Sequence, residues 1–182
     1  MTKFGNTENS YGLLSRSLHW LMALLIIGLL PLGLYMTSLS YYDPLYHSLP
    51  WWHKSIGLLV LTLLILRLLW KYTNPRPVHL PSHSALEIRL ASITHLAMYG
   101  LITLICVSGY LISTAKGKGI EFFGWFEVPA LLTPIENQAD LAGLVHLWLA
   151  YMLAGFVVLH AAGALKHHFI DKDNTLKRML RG

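Results

Sequence analysis

Fourteen positions separate His146 and His160 within one long apolar stretch of a 182-residue chain. An α-helix of about 3.6 residues per turn and 1.5 Å rise per residue brings both imidazoles to one face, about 21 Å apart along the axis. A neutral imidazole is a good metal ligand, and an unpartnered one among hydrocarbon is costly, so such histidines are functional by default. His19 and His53 stand near the starts of the first and second apolar stretches. Consecutive spans run antiparallel, so those two starts lie at opposite faces, and each meets one histidine of the 146/160 pair. The pattern predicts two bis-histidine cofactor sites, one toward each face of a membrane.

The elements that position these residues follow from composition. The chain is 54% hydrophobic and 13% charged, whereas a soluble domain carries about a quarter charged residues. Its net charge of +5 gathers at the ends of apolar stretches, where it reads as a topology signal and not as a nucleic-acid surface. Four stretches, near 13–38, 51–72, 88–114 and 141–168, meet the length of about 20 residues needed to span the hydrocarbon core. The first is too long and lacks the small-residue cleavage site of a removable signal peptide, so it reads as a retained helix. Pro31, with Gly33 close by, is expected to kink it. The linker Asn74–Pro81 carries three prolines and marks a turn. Lys3 and Arg16, then Lys71, Arg76 and Arg89, then Lys166, Lys172, Lys177, Arg178 and Arg181 place the N-terminus, the second loop and the tail in the cytoplasm. Asp43 in the first loop, and Glu121, Glu127, Glu136 and Asp140 against Lys116 and Lys118 in the third, face outward. Phe122, Phe123, Trp125 and Phe126 make the third loop an interfacial segment. The expected fold is all-α: a single domain over 1–182, an up-and-down transmembrane four-helix bundle in the bilayer with both termini cytoplasmic.

Depth then pairs the ligands. His19 is about six residues into the first helix and His160 about eight from the inner end of the fourth; His53 and His146 lie about two and five residues from the outer ends of theirs. Cys106 is the only cysteine, so an intrachain disulfide, a Cys-type zinc site and a covalent C-x-x-C-H haem attachment are excluded. Closed zinc sites want four protein ligands, whereas protohaem wants two axial ones. Two non-covalent b haems (protohaem IX) between the helices fit better, and six-coordinate iron is suited to moving electrons. Gly57, Gly143 and Gly163 leave room for a macrocycle, or equally serve close helix packing. Arg16 and Lys54 stand where haem propionates would pair with them, and Arg67, Lys71 and Lys166 are inner-side candidates; for each, snorkelling to the interface is the plainer reading. His95 is level with His19 and His160, as a rival ligand or as a proton donor beside a quinone. His167 and His168 read as interfacial residues able to serve proton uptake, and His47, His79 and His83 as loop residues without a ligand role.

The passages R-S-L-H-W at 16–20, W-H-K-S-I-G at 52–57, H-L-A-M-Y at 95–99 and L-H-A-A-G-A-L-K-H-H-F-I-D-K-D-N-T-L-K-R-M at 159–179 resemble the bacterial cytochrome b561 family of four-helix, dihaem inner-membrane proteins. The resemblance runs through nearly the whole chain. Carried over residue by residue, it implies His19 and His160 at the inner haem and His53 and His146 at the outer one. It implies a multi-pass protein of the bacterial inner membrane that carries electrons to the quinone pool, and possible activity as a quinone-linked oxidoreductase that oxidises superoxide at the outer face and reduces ubiquinone near the inner one. Lys54, Lys116 and Lys118 would attract the anion, against a net acidic third loop. Two other readings stay open: the cytochrome subunit or redox partner of a larger dehydrogenase or periplasmic protein, without independent catalysis, and a histidine-lined proton or metal transporter.

Overall fold

The computed structural model describes residues 4–181. Lys3, one of the cations expected to mark the cytoplasmic face, lies outside the described residues. Four long helices dominate: α1 (Leu13–Ser38), α2 (Ser48–Thr73), α3 (Ala85–Thr114) and α4 (Gln138–Phe169). Their 26, 26, 30 and 32 residues make rods of about 39–48 Å, longer than a hydrocarbon core of about 30 Å. Only 6–17% of their most apolar windows is buried within the protein. Helices apolar on all sides yet mostly uncovered need lipid as their solvent. The four helices suit a transmembrane bundle, and the chain is a membrane protein.

Three helices begin three residues before their expected starts, and local chemistry accounts for it. Pro50 sits in the first turn of α2, where its missing N–H costs nothing. Ser84 and Glu87 form a reciprocal capping box at α3: the Glu87 carboxylate accepts from the Ser84 N–H at 2.8 Å, and the Ser84 hydroxyl accepts from the Glu87 N–H at 3.3 Å. At α4 the Gln138 side chain accepts from the Ile135 N–H and donates to the Leu111 carbonyl. α1 runs unbroken through Pro31.

The third loop, expected to be an interfacial segment, carries a hairpin. Strands β1 (Ile120–Phe122) and β2 (Phe126–Val128) pair antiparallel with Phe122 opposite Phe126. The turn uses positive φ at both Phe123 (49°) and Gly124 (74°), the combination that matches the twist of a hairpin. A short fifth helix, α5 (Thr175–Leu180), lies in the tail.

The chain divides into two compact units, each built from parts of all four long helices. The first comprises residues 1–22, 63–100 and 152–182. In it the N-terminal segment is stitched to the linker after α2, Asn6 donating to the Pro75 carbonyl and the Val78 N–H to the Glu8 carbonyl. The tail is held by Arg16 and Trp20, which donate to the carbonyls of Leu180 and Met179 at 3.1 and 3.0 Å. The second unit comprises residues 23–62 and 101–151. Its hairpin is fixed by Ser55, fully buried, which donates to the Glu121 carbonyl and accepts from the Phe123 N–H, both at 3.2 Å.

Candidate functional site

In the first unit four helices converge on three histidines. His19 from α1 and His160 from α4 face each other with ring centroids 6.1 Å apart. His95 from α3 lies closer to His160, at 5.2 Å. Arg67 from α2 brings Nη2 to 3.0 Å from His19 Nδ1, and its guanidinium carbon is 5.7 Å from the Tyr99 ring centre; Lys71 is 4.7 Å from the same ring. A metal–imidazole bond of about 2 Å, with about 1.2 Å more to the ring centre, puts two imidazoles on opposite sides of one metal about 6.4 Å apart. The His19–His160 separation fits that sandwich. His95 and His160 are too close together for it by about an ångström.

In the second unit His53 from α2 and His146 from α4 repeat the arrangement at 6.2 Å. His146 Nδ1 is 3.0 Å from the Ile105 carbonyl and 3.1 Å from the Ser108 hydroxyl. A carbonyl only accepts, so Nδ1 carries the proton and Nε2 keeps its lone pair for a metal. His53 Nδ1 is buried without a partner among the described residues. Two glycines seat the rings: a Cβ on Gly33 would lie 3.0 Å from His53 Cε1, and one on Gly109 3.2 Å from His146 Cε1. A side chain there would press on the imidazole. At Gly57 and Gly143, the glycines expected to leave room, an added Cβ meets nothing within 4 Å, and the same holds at Gly163 in the first unit.

The cations are more specifically engaged than snorkelling requires. Arg16 is buried and gives one guanidinium nitrogen to the tail, while its Nε is buried with no partner among the described residues; that leaves a donor for a carboxylate such as a propionate. Lys166 pairs with Glu87 and, at 2.8 Å, with Asp171. Lys54 lines a cleft of about 540 Å³ with Trp51, Lys118, Glu121 and Glu127. Lys116 is not among the residues lining it. The donor set, two imidazole pairs at sandwich distance with orphaned His53 and Arg16 nitrogens, fits haem.

Sequence reasoning placed the four imidazoles in their pairs but missed what surrounds them. Arg67, one of the inner-side candidates for a haem rim, reaches His19, a contact the sequence did not signal. Gly33 was read only as a neighbour of Pro31, and Gly109 carried no signal at all. His83 and His167, expected to be a loop residue and an interfacial one, come together with ring centroids 4.6 Å apart, beside Asp173.

Comparison with known proteins identifies the family. A family model described as prokaryotic cytochrome b561 matches residues 10–182. The chain is 52% identical to cytochrome b561 homolog 2 of Escherichia coli K12, over 97% of this chain and 94% of the relative. It is 33% identical to the probable superoxide oxidase CybB of Yersinia pestis, over 95% and 97%. It is 31% identical to cytochrome b561 homolog 1 of Escherichia coli K12, over 70% and 72%.

Proposed function

The chain belongs to the prokaryotic cytochrome b561 family, a family of membrane electron-transfer proteins that bind b-type haem, and from that premise we propose that it carries electrons across the bacterial inner membrane to the quinone pool. Two b haems are held, one by His19 and His160 near the cytoplasmic face and one by His53 and His146 near the outer face, with both termini in the cytoplasm. The observation that carries this reading is the repeated imidazole separation, 6.1 and 6.2 Å. A b haem with imidazole on both sides supplies a reversible one-electron carrier that does not bind oxygen.

The protein's own residues shape what enters and leaves. Lys54 and Lys118 offer positive charge to a small anion in the outer cleft, and superoxide is the donor that fits, as in the relative named a probable superoxide oxidase. Glu121 and Glu127 line the same cleft and moderate the attraction. Two superoxide ions would each give one electron and leave as oxygen. One ubiquinone would take both electrons and two protons. His95, whose ring lies too near that of His160 to face it across one haem iron, would hand a ring proton to that quinone.

Haem content and spectra decide the reading. The purified protein should carry two low-spin b haems per chain, and superoxide should reduce them before any quinol is added. His53→Ala and His146→Ala should each remove one haem and spare the other. His95→Ala should retain both and slow quinone reduction. Two haems surviving in His53→Ala would sink the assignment, and loss of a haem in His95→Ala would transfer a ligand role to that residue.

A further inference from the structure

At one end of the first unit, away from the imidazole pairs, loop and tail bring together a second set of ligand atoms. His83 Nε2 lies 3.1 Å from Asp173 Oδ2, and His167 Nδ1 lies 3.4 Å from the same oxygen; all three atoms fall within 4.8 Å of one another. A tetrahedral ion with bonds of about 2.0–2.1 Å has ligand-to-ligand edges of about 3.3 Å. Both edges match. His167 Nδ1 is also 2.8 Å from Asp171 Oδ2, yet it is buried and makes no directed hydrogen bond. A nitrogen crowded by two carboxylates but aimed at neither is arranged as ligands around an ion are.

We propose that His83, His167 and Asp173 form a binding site for a divalent first-row transition ion, with zinc the best match to two imidazoles, one carboxylate and an open fourth position. Surrounding groups hold the Asp173 carboxylate as a supporting shell does: the Thr175 N–H bonds Oδ1 at 2.8 Å, the Ser82 hydroxyl donates to Oδ2 at 3.1 Å, and the Thr175 hydroxyl, which lies beside His83, bonds the same carboxylate. Glu87, His167 and Asp171 also converge, but the Lys166 ammonium already sits on both carboxylates and repels a second cation. An ion on the first trio clamps the linker before α3 to the tail that leads into α5. Because α5 is bonded to Arg16 and Trp20, the clamp would steady the helix that carries His19.

The test uses the full-length, haem-loaded protein in detergent, stripped with a chelator, desalted and titrated with zinc against a chromophoric zinc indicator. One zinc per chain should be withdrawn from the indicator. His83→Ala and Asp173→Asn should each weaken uptake at least about tenfold, while Glu87→Gln leaves it within a few-fold. Unchanged haem absorbance shows that each variant is folded. Should His83→Ala lose that absorbance, Thr175→Val, which removes only the hydroxyl beside His83, should still weaken zinc measurably. No uptake by the parent protein, equal uptake by His83→Ala or Thr175→Val, or loss in Glu87→Gln alone would overturn the site.

Discussion

The two units hold imidazole pairs at nearly the same separation, 6.1 Å in the first and 6.2 Å in the second, in opposite surroundings. Around His19 and His160 stand a guanidinium, an ammonium over a tyrosine ring and a third imidazole. Around His53 and His146 stand two glycines, a carbonyl and a serine hydroxyl. The ring separation is thus common to both units, while the groups around the rings differ. The surroundings divide the work. Nearby positive charge and a spare titratable ring suit a site where electrons meet protons, whereas close seating and a fixed tautomer suit one that only relays electrons.

The sharpest way to break this contrast is to crowd the second pair. Gly33→Leu drives a side chain into His53, and the backbone of α1 cannot retreat without shifting a whole helix. Overpacking of this kind costs about 1–3 kcal/mol, and here it falls on a ligand. One haem of the two should be lost, with the spectrum of the other intact. Gly163→Ala in the first unit, where an added Cβ meets nothing within 4 Å, should keep both. If Gly33→Leu also keeps both, the glycines do not seat the rings and the contrast fails on its second-unit side.

Charge tests the other side. Arg67 places a fixed positive charge against His19, which favours the state with one more electron. Arg67→Met should lower the midpoint potential of one haem on the order of 50 mV and leave the other where it was. Redox titration with optical detection separates the two. Ser108→Ala is the matching change in the second unit and should do less. His146 Nδ1 keeps its bond to the Ile105 carbonyl, so the ring holds its tautomer, and a shift on the order of 10 mV is expected. Equal shifts in the two variants would mean that the charged and neutral surroundings are equivalent.

These predictions draw on residues of unequal legibility. The four imidazoles could be paired from sequence because a span has only two ends and a fixed rise, so depth follows from counting. The long helices were legible for the same reason, to within three residues at their starts. The misses were partly avoidable: S-A-L-E at 84–87 is a capping box, and Gly124 after an aromatic run signals a turn. Gly33, Gly109 and Arg67 were not recoverable, since a count along one helix does not say which neighbour its face meets. The meeting of His83, His167 and Asp173 depends on how a proline-rich linker folds back on a tail some ninety residues later, and no local pattern records that.

The smallest expected effect concerns the first unit alone. Burial raises the phenol of Tyr11 above its ordinary value of 10.0, with Tyr99 acting in the same direction and Arg178 and Arg67 against it. The folded chain therefore holds this proton where the unfolded chain would release it. Stability from Tyr11 is complete below pH 10 and is lost as pH rises through the higher folded value. Alkaline titration should loosen the first unit before the second, so the absorbance of a haem at the proposed His19–His160 site should change at lower pH than that of one at the proposed His53–His146 site. Tyr11→Phe keeps the ring and removes the proton, and it should bring the two transitions closer together. If the variant leaves their order and spacing unchanged, the alkaline weakness lies elsewhere, and the first unit's sensitivity to charge belongs to Arg67 and the histidines alone.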